Sequence, residues 1–116
     1  MFPIKRDNGV LTIWVKVYEG PYDNQKPLPD YVLKVDRDGV DVSSAVQSHG
    51  TAFDNTKPEG SMDYNLKFEM NNAGEAKWRI YLAKPDGYRV SPISEFTTLG
   101  DSYRNLVVFV AYWLAR

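Results

Sequence analysis

The chain contains no cysteine and a single histidine, His49. That excludes thiol catalysis, a disulfide scaffold, iron–sulfur clusters and zinc sites built from Cys and His pairs. Neither sign of charge dominates: 14 Lys and Arg stand against 15 Asp and Glu, a formal net charge of -1. Electrostatic binding of nucleic acid draws on a basic surplus, and none exists here. Long apolar runs are missing too. The longest, Leu106 to Ala115, has ten residues, whereas a membrane-spanning helix needs about 20. No membrane partner and no cofactor are therefore expected. Met1 to Asn8 has no apolar h-region, so no signal peptide is visible.

What is present is 116 residues, 43% hydrophobic and 14% aromatic. That suits one globular domain, expected to span residues 1–116. No stretch has helical periodicity. Val10 to Tyr18 alternates instead, with Leu11, Ile13, Val15 and Val17 on one face and Thr12, Trp14, Lys16 and Tyr18 on the other. Tyr31–Val35 and Val40–Val42 flank Asp36-Arg37-Asp38-Gly39, which reads as a hairpin turn. Tyr64–Met70 alternates again, placing Tyr64, Leu66, Phe68 and Met70 inward and Asn65 outward. Lys77–Leu82 follows with Trp78, Ile80 and Leu82 inward, then a strand from Tyr88 to Thr98 interrupted at Pro92. Residues 43–62 form the longest irregular stretch, with a short edge strand expected near Val46 to Ser48. Leu106–Ala115 is the only strand apolar on both faces, which predicts a central position or a partner. Seven or eight short strands joined by Pro, Gly, Asn and Asp turns predict an all-β antiparallel sandwich, with a closed barrel as the alternative.

Two stretches carry a resemblance. Residues 28–43, Leu28-Pro29-Asp30-Tyr31 through Val40-Asp41-Val42-Ser43, are one; Trp78–Leu82 with Asp86–Thr98, including Val90-Ser91-Pro92 and Phe96-Thr97-Thr98, are the other. They resemble the immunoglobulin-like modules attached to bacterial secreted enzymes that act on cell walls and polysaccharides. The resemblance implies an immunoglobulin-like sandwich serving as a noncatalytic accessory module. It also implies an extracellular location, within a larger secreted protein. It transfers no catalytic residues.

Chemistry-bearing clusters are few. His49 lies near Ser43, Ser44, Ser48 and Asp54 in sequence, but no Gly-x-Ser-x-Gly elbow is present, so a solvent-exposed loop histidine is expected. Asp36, Asp38 and Asp41 have the spacing of a calcium-loop start. Gln47 stands where an EF-hand needs its closing Glu, which favours a plain turn with at most weak calcium binding. Glu69, Glu95 and Asp63 are the acids available for glycoside hydrolysis; on polar strand faces they act as solubilising groups, so no enzyme is expected.

The aromatics are more informative. Trp14, Tyr18, Tyr81 and Tyr112 fall opposite the aliphatic sets of their strands, interleaved with Lys16, Lys77 and Arg79. Three uses fit them: core filling, a platform for sugar rings, or a protein contact. The expected ligand site is Trp14, Lys16, Tyr18, Arg79 and Tyr81, stacking on a polysaccharide or cell-wall glycan. The alternative is a protein-interaction or spacer domain that uses the C-terminal strand as its interface.

Overall fold

Strict alternation makes β1 (Val10–Glu19) the backbone of one sheet: Leu11, Ile13, Val15 and Val17 are fully buried, while Lys16 and Tyr18 stay partly open. The computed structural model describes residues 9–57, 62–99 and 106–115, and these are all-β with no helix. Ten strand segments occur among them, four of only two residues. After β1 come β2 (Lys26–Pro27), β3 (Val32–Arg37), β4 (Val40–Asp41), β5 (Asp54–Asn55) and β6 (Asp63–Tyr64). The chain continues through β7 (Leu66–Asn71), β8 (Ala76–Ala83), β9 (Ser94–Thr98) and β10 (Leu106–Trp113). The N-terminal segment read above for a signal peptide lies outside the described residues.

The first sheet has β1 at its centre. β7 pairs antiparallel with its first half, β2 with its end, and β10 runs along its other side. The β1–β10 ladder is parallel, from Leu11 opposite Leu106 to Tyr18 opposite Trp113. The expectation of a wholly antiparallel sandwich is corrected at that pair. The second sheet has the order β4-β3-β8-β9 and is antiparallel throughout. Inward residues of both sheets merge into one hydrophobic cluster, so two layers share a single core. β5 and β6 form a small ladder of their own.

Local chemistry explains the joints. Arg37 pairs with Val40, leaving Asp38 and Gly39 as a two-residue loop with φ of 52° and 88°. Both positions need positive φ, which Asp-Gly tolerates. Asp36 Oδ1 accepts the Gly39 N–H at 2.6 Å. In the second sheet Trp78 is fully buried, stacks on Phe96 with centroids 6.1 Å apart, and donates its indole N–H to Thr98 Oγ1 at 3.0 Å. The Thr98 hydroxyl in turn donates to Gly74 O.

Three details depart from the sequence reading. The chain bends at Asn65, between β6 and β7, which turns its side chain into the interior at 1% exposure and puts Tyr64 on the outer face against Trp14. Asn65 Oδ1 accepts the Val17 N–H at 2.7 Å, and Nδ2 donates to Val17 O, Leu28 O and His49 O at 3.0, 3.2 and 3.0 Å. No strand forms at residues 46–48. Ser48 instead exchanges backbone bonds with Tyr31 and Asp30, and its hydroxyl donates to Leu28 O at 2.7 Å. Finally, among the described residues β10 is an edge strand, which removes the central position and leaves the other expectation, a partner.

Candidate functional site

The sequence-predicted residues do not form one surface. Trp14, Lys16 and Tyr18 lie on the outer face of the first sheet, and Arg79 and Tyr81 on the outer face of the second. The shared core separates the two sets. Arg79 is exposed and bonded through Nε to Glu95 Oε2 at 2.8 Å; Lys77 reaches the same carboxylate at 3.7 Å. Tyr81, opposite Lys34 in the ladder, sits on this charged face. Glu69 and Glu95 likewise lie on different sheets, so they cannot flank a common cleft.

On the first sheet, Trp14 is covered. Tyr64 packs on it at 4.6 Å between centroids, the Lys67 ammonium stands 4.9 Å above the ring, and only 9% of the residue is exposed. Its Nε1 is buried with no hydrogen-bond partner. Trp14 is thus a packing residue for this face rather than a stacking platform. Lys16 is held between the Tyr18 and Phe53 rings at 4.8 and 5.0 Å, and its ammonium donates to Gln25 Oε1.

The open aromatics of this face belong to β10. Its outer side presents Val107, Phe109, Ala111 and Trp113, set in register beside Thr12, Trp14, Lys16 and Tyr18. Trp113 is 58% exposed, and its Nε1 donates to Gly20 O at 3.2 Å. Gly20 itself has φ of 96°, and a Cβ there would lie 2.4 Å from Asn24 O, so only glycine shapes this corner. Beside Trp113 is a depression of about 580 Å³ lined by Glu19, Gly20, Asn24 and Lys26 together with Leu114. Tyr112 takes the opposite orientation from the one its sequence position suggested. It is 8% exposed and faces the core. Burial holds its phenol above the ordinary value, and the nearby Ser91 hydroxyl offsets part of that shift. Ser91 donates to Pro92 O and accepts the Leu82 N–H, and Tyr112 Oη is buried without a hydrogen-bond partner.

The backbone of β10 is also available. Leu114 N–H donates to Tyr18 O at 2.9 Å. N–H and C=O groups alternate sides along a strand. Even-numbered residues of β10 therefore turn their backbone groups toward β1, and Val107, Phe109, Ala111 and Trp113 turn theirs outward. No strand among the described residues pairs with that side. Between this edge and β9 the sandwich opens into a groove of about 520 Å³, lined by Phe96, Leu106, Val108 and Val110 over Leu11 and Ile80.

The other candidates remain local. His49 Nε2 lies 2.9 Å from Asp54 Oδ2, both exposed, while the hydroxyls of Ser48 and Ser43 are bonded to Leu28 O and Val35 O. Asp36, Asp38 and Asp41 do not converge: Asp36 caps Gly39, Asp38 accepts the Lys77 N–H, and Asp41 accepts from Ser43 and Lys34. The Ser43 hydroxyl and N–H hold the Asp41 carboxyl below its ordinary value. Among the described residues no group of three or more His, Cys, Asp or Glu is placed to hold a metal.

Sequence reasoning undervalued Phe109 and Trp113. The available signal was the absence of any polar phase in Leu106–Ala115: in a fold of two layers each strand is covered on one face, so a strand apolar on both must leave one uncovered. Comparison with protein-family models, with curated proteins and with solved structures returns no match.

Proposed function

We propose that this chain is a noncatalytic binding module that engages an extended protein segment by strand addition at the free edge of β10. One observation carries the reading. Among the described residues β10 is an eight-residue edge strand without a charged side chain or proline. Edge strands that stay solitary are normally shortened, bulged or charged. Here the outward amides are flanked by Val107, Phe109 and Trp113, at 44%, 39% and 58% exposure. Main-chain bonds from an added strand supply affinity, and these side chains with the β9–β10 groove supply selectivity. The immunoglobulin-like, extracellular accessory-module reading fits such a role. In it β1 and β7 form one layer with β3, β8 and β9 opposite, and the parallel β10 is the departure.

A second reading is favoured by Trp113. Its exposed indole stands in register with Tyr18, beside Lys16 and a depression holding Glu19, Asn24 and Lys26, a surface that suits a sugar ring on a polysaccharide or cell-wall glycan.

One pair of variants separates the two. Ala111→Pro deletes an outward N–H while leaving the β1 ladder untouched, and Trp113→Ala removes the exposed ring. Extended peptides selected by display against the wild-type chain should lose binding to Ala111→Pro. Polysaccharide retention that survives Ala111→Pro but is lost in Trp113→Ala transfers the function to the glycan reading. Failure to select any peptide with a chain that sediments as a monomer overturns strand addition.

A further inference from the structure

We infer that the segment received by β10 is the β10 strand of a second copy of this chain, paired antiparallel about a two-fold axis at Val110. This rests on the strand-addition reading and names its partner.

Charge selects the edge. Among the described residues the other unpaired strand edges carry charged side chains: Glu95 on β9, Lys67 and Glu69 on β7, Asp41 on β4 and Lys26 on β2. Charged side chains along an edge are the ordinary device by which a strand is kept from accepting another. β10 has no charged side chain from Leu106 to Trp113. A neutral strand can accept its own copy without repulsion.

Backbone parity then selects the register. The outward groups belong to odd-numbered residues, as the Leu114–Tyr18 bond fixes. An antiparallel partner must therefore set odd residues opposite odd residues. With Val110 on the axis, Val107 faces Trp113 and Phe109 faces Ala111 of the partner copy, in four hydrogen-bonded pairs. These exchange about eight backbone hydrogen bonds, against about six for an axis moved to Phe109. Side-chain size agrees with this choice. On the outer face each large ring meets a small residue, Trp113 with Val107 and Phe109 with Ala111. On the inner face Tyr112 meets Val108. Moving the axis to Phe109 would set two phenylalanines against each other. The two β9–β10 grooves come side by side across the axis, where the inner residues of one copy shield the groove mouth of the other. Two four-stranded sheets become one of eight.

Because the chain has no cysteine, single substitutions report on the axis without background. Val110→Cys places two thiols on a non-hydrogen-bonded pair with Cα atoms about 4.5 Å apart, within disulfide range. Val107→Cys leaves its thiols about 20 Å apart. Sedimentation of the wild-type chain should show a concentration-dependent dimer. Oxidation should crosslink Val110→Cys efficiently and Val107→Cys at least about tenfold more slowly, given that separation. Ala111→Pro should remove both the dimer and the Val110→Cys crosslink. A wild-type monomer at every concentration, with no Val110→Cys crosslink, overturns self-pairing. If selected peptides still bind β10 in that case, strand addition stands and only the partner is wrong. Equal crosslinking at positions 107 and 110 overturns the register.

Discussion

Replacing Asn65 by alanine should unfold more of this protein than its size suggests. The side chain holds three separate segments together: both backbone groups of Val17 in β1, the carbonyl of Leu28 after β2, and the carbonyl of His49 in the long connection. The losses are unequal. Val17 O keeps the Leu28 N–H at 2.9 Å, and Leu28 O keeps the Ser48 hydroxyl at 2.7 Å. The bond to His49 O is only part-buried, so its loss costs less than that of a buried one. The Val17 N–H is the true orphan, on a residue with no exposed surface. One fully stranded buried donor and partial losses elsewhere predict a destabilisation of about 2–4 kcal/mol. That is a large fraction of a typical total of about 5–15 kcal/mol. Urea unfolding followed by tryptophan fluorescence measures it. Asn65→Asp sharpens the test. Its carboxylate can still accept from Val17, but it turns an oxygen toward the carbonyls that Nδ2 now serves. Ionisation is then disfavoured in the folded state, so the folded pKa lies above the unfolded value of about 3.9. The penalty relative to wild type should be full above the folded pKa and shrink as pH falls toward the unfolded one. An alanine variant within about 0.5 kcal/mol of wild type, the range of an ordinary surface change, would refute the reasoning. So would an aspartate penalty independent of pH.

Two further perturbations follow from buried polar groups. Thr98→Val keeps the shape but strands the Trp78 indole N–H and the Gly74 carbonyl; it should cost about 1–3 kcal/mol in thermal unfolding. Adding Trp78→Phe should then cost less than it does in the wild type, and strict additivity would count against the shared bond. Tyr112, raised by burial, ionises first in the unfolded chain. The Tyr112 contribution to stability should therefore be full below pH of about 10 and be lost as pH rises above it. Tyr112→Phe should flatten that alkaline decline, as read by denaturant midpoints; an unchanged slope assigns the decline to other groups.

Alternation made the inward sets of β1, β7 and β8 legible from sequence, because period two maps directly onto two faces. The same alternation marked Trp14, Tyr18, Arg79 and Tyr81 as outward, and all four are. Periodicity is silent on which sheet a strand joins, so it could not say that two of them look away from the other two. Asn65 escaped because a single bend resets the parity of everything before it, carrying Tyr64 to the opposite face. For β10 the sequence left two placements, central or partnered, and only the first fails. Two apolar faces ordinarily mean cover on both, and in a two-layer fold every strand is covered on one face only. The candidate surface was thus visible in composition as a strand lacking any polar phase. Its location depended on long-range pairing between residues 11–18 and 106–113, which no local pattern encodes.

That parallel pairing has a mechanical corollary. The first and last described long strands run side by side in the same direction over eight register pairs. β1 therefore starts at one end of the ladder and β10 finishes at the other, separated by about 25 Å of strand at 3.3 Å per residue. Tension applied across these points lies along the strands, so the rungs between β1 and β10 share the load in shear. They do not open one after another from an end. The domain should resist extension along its own chain axis far better than peeling across it.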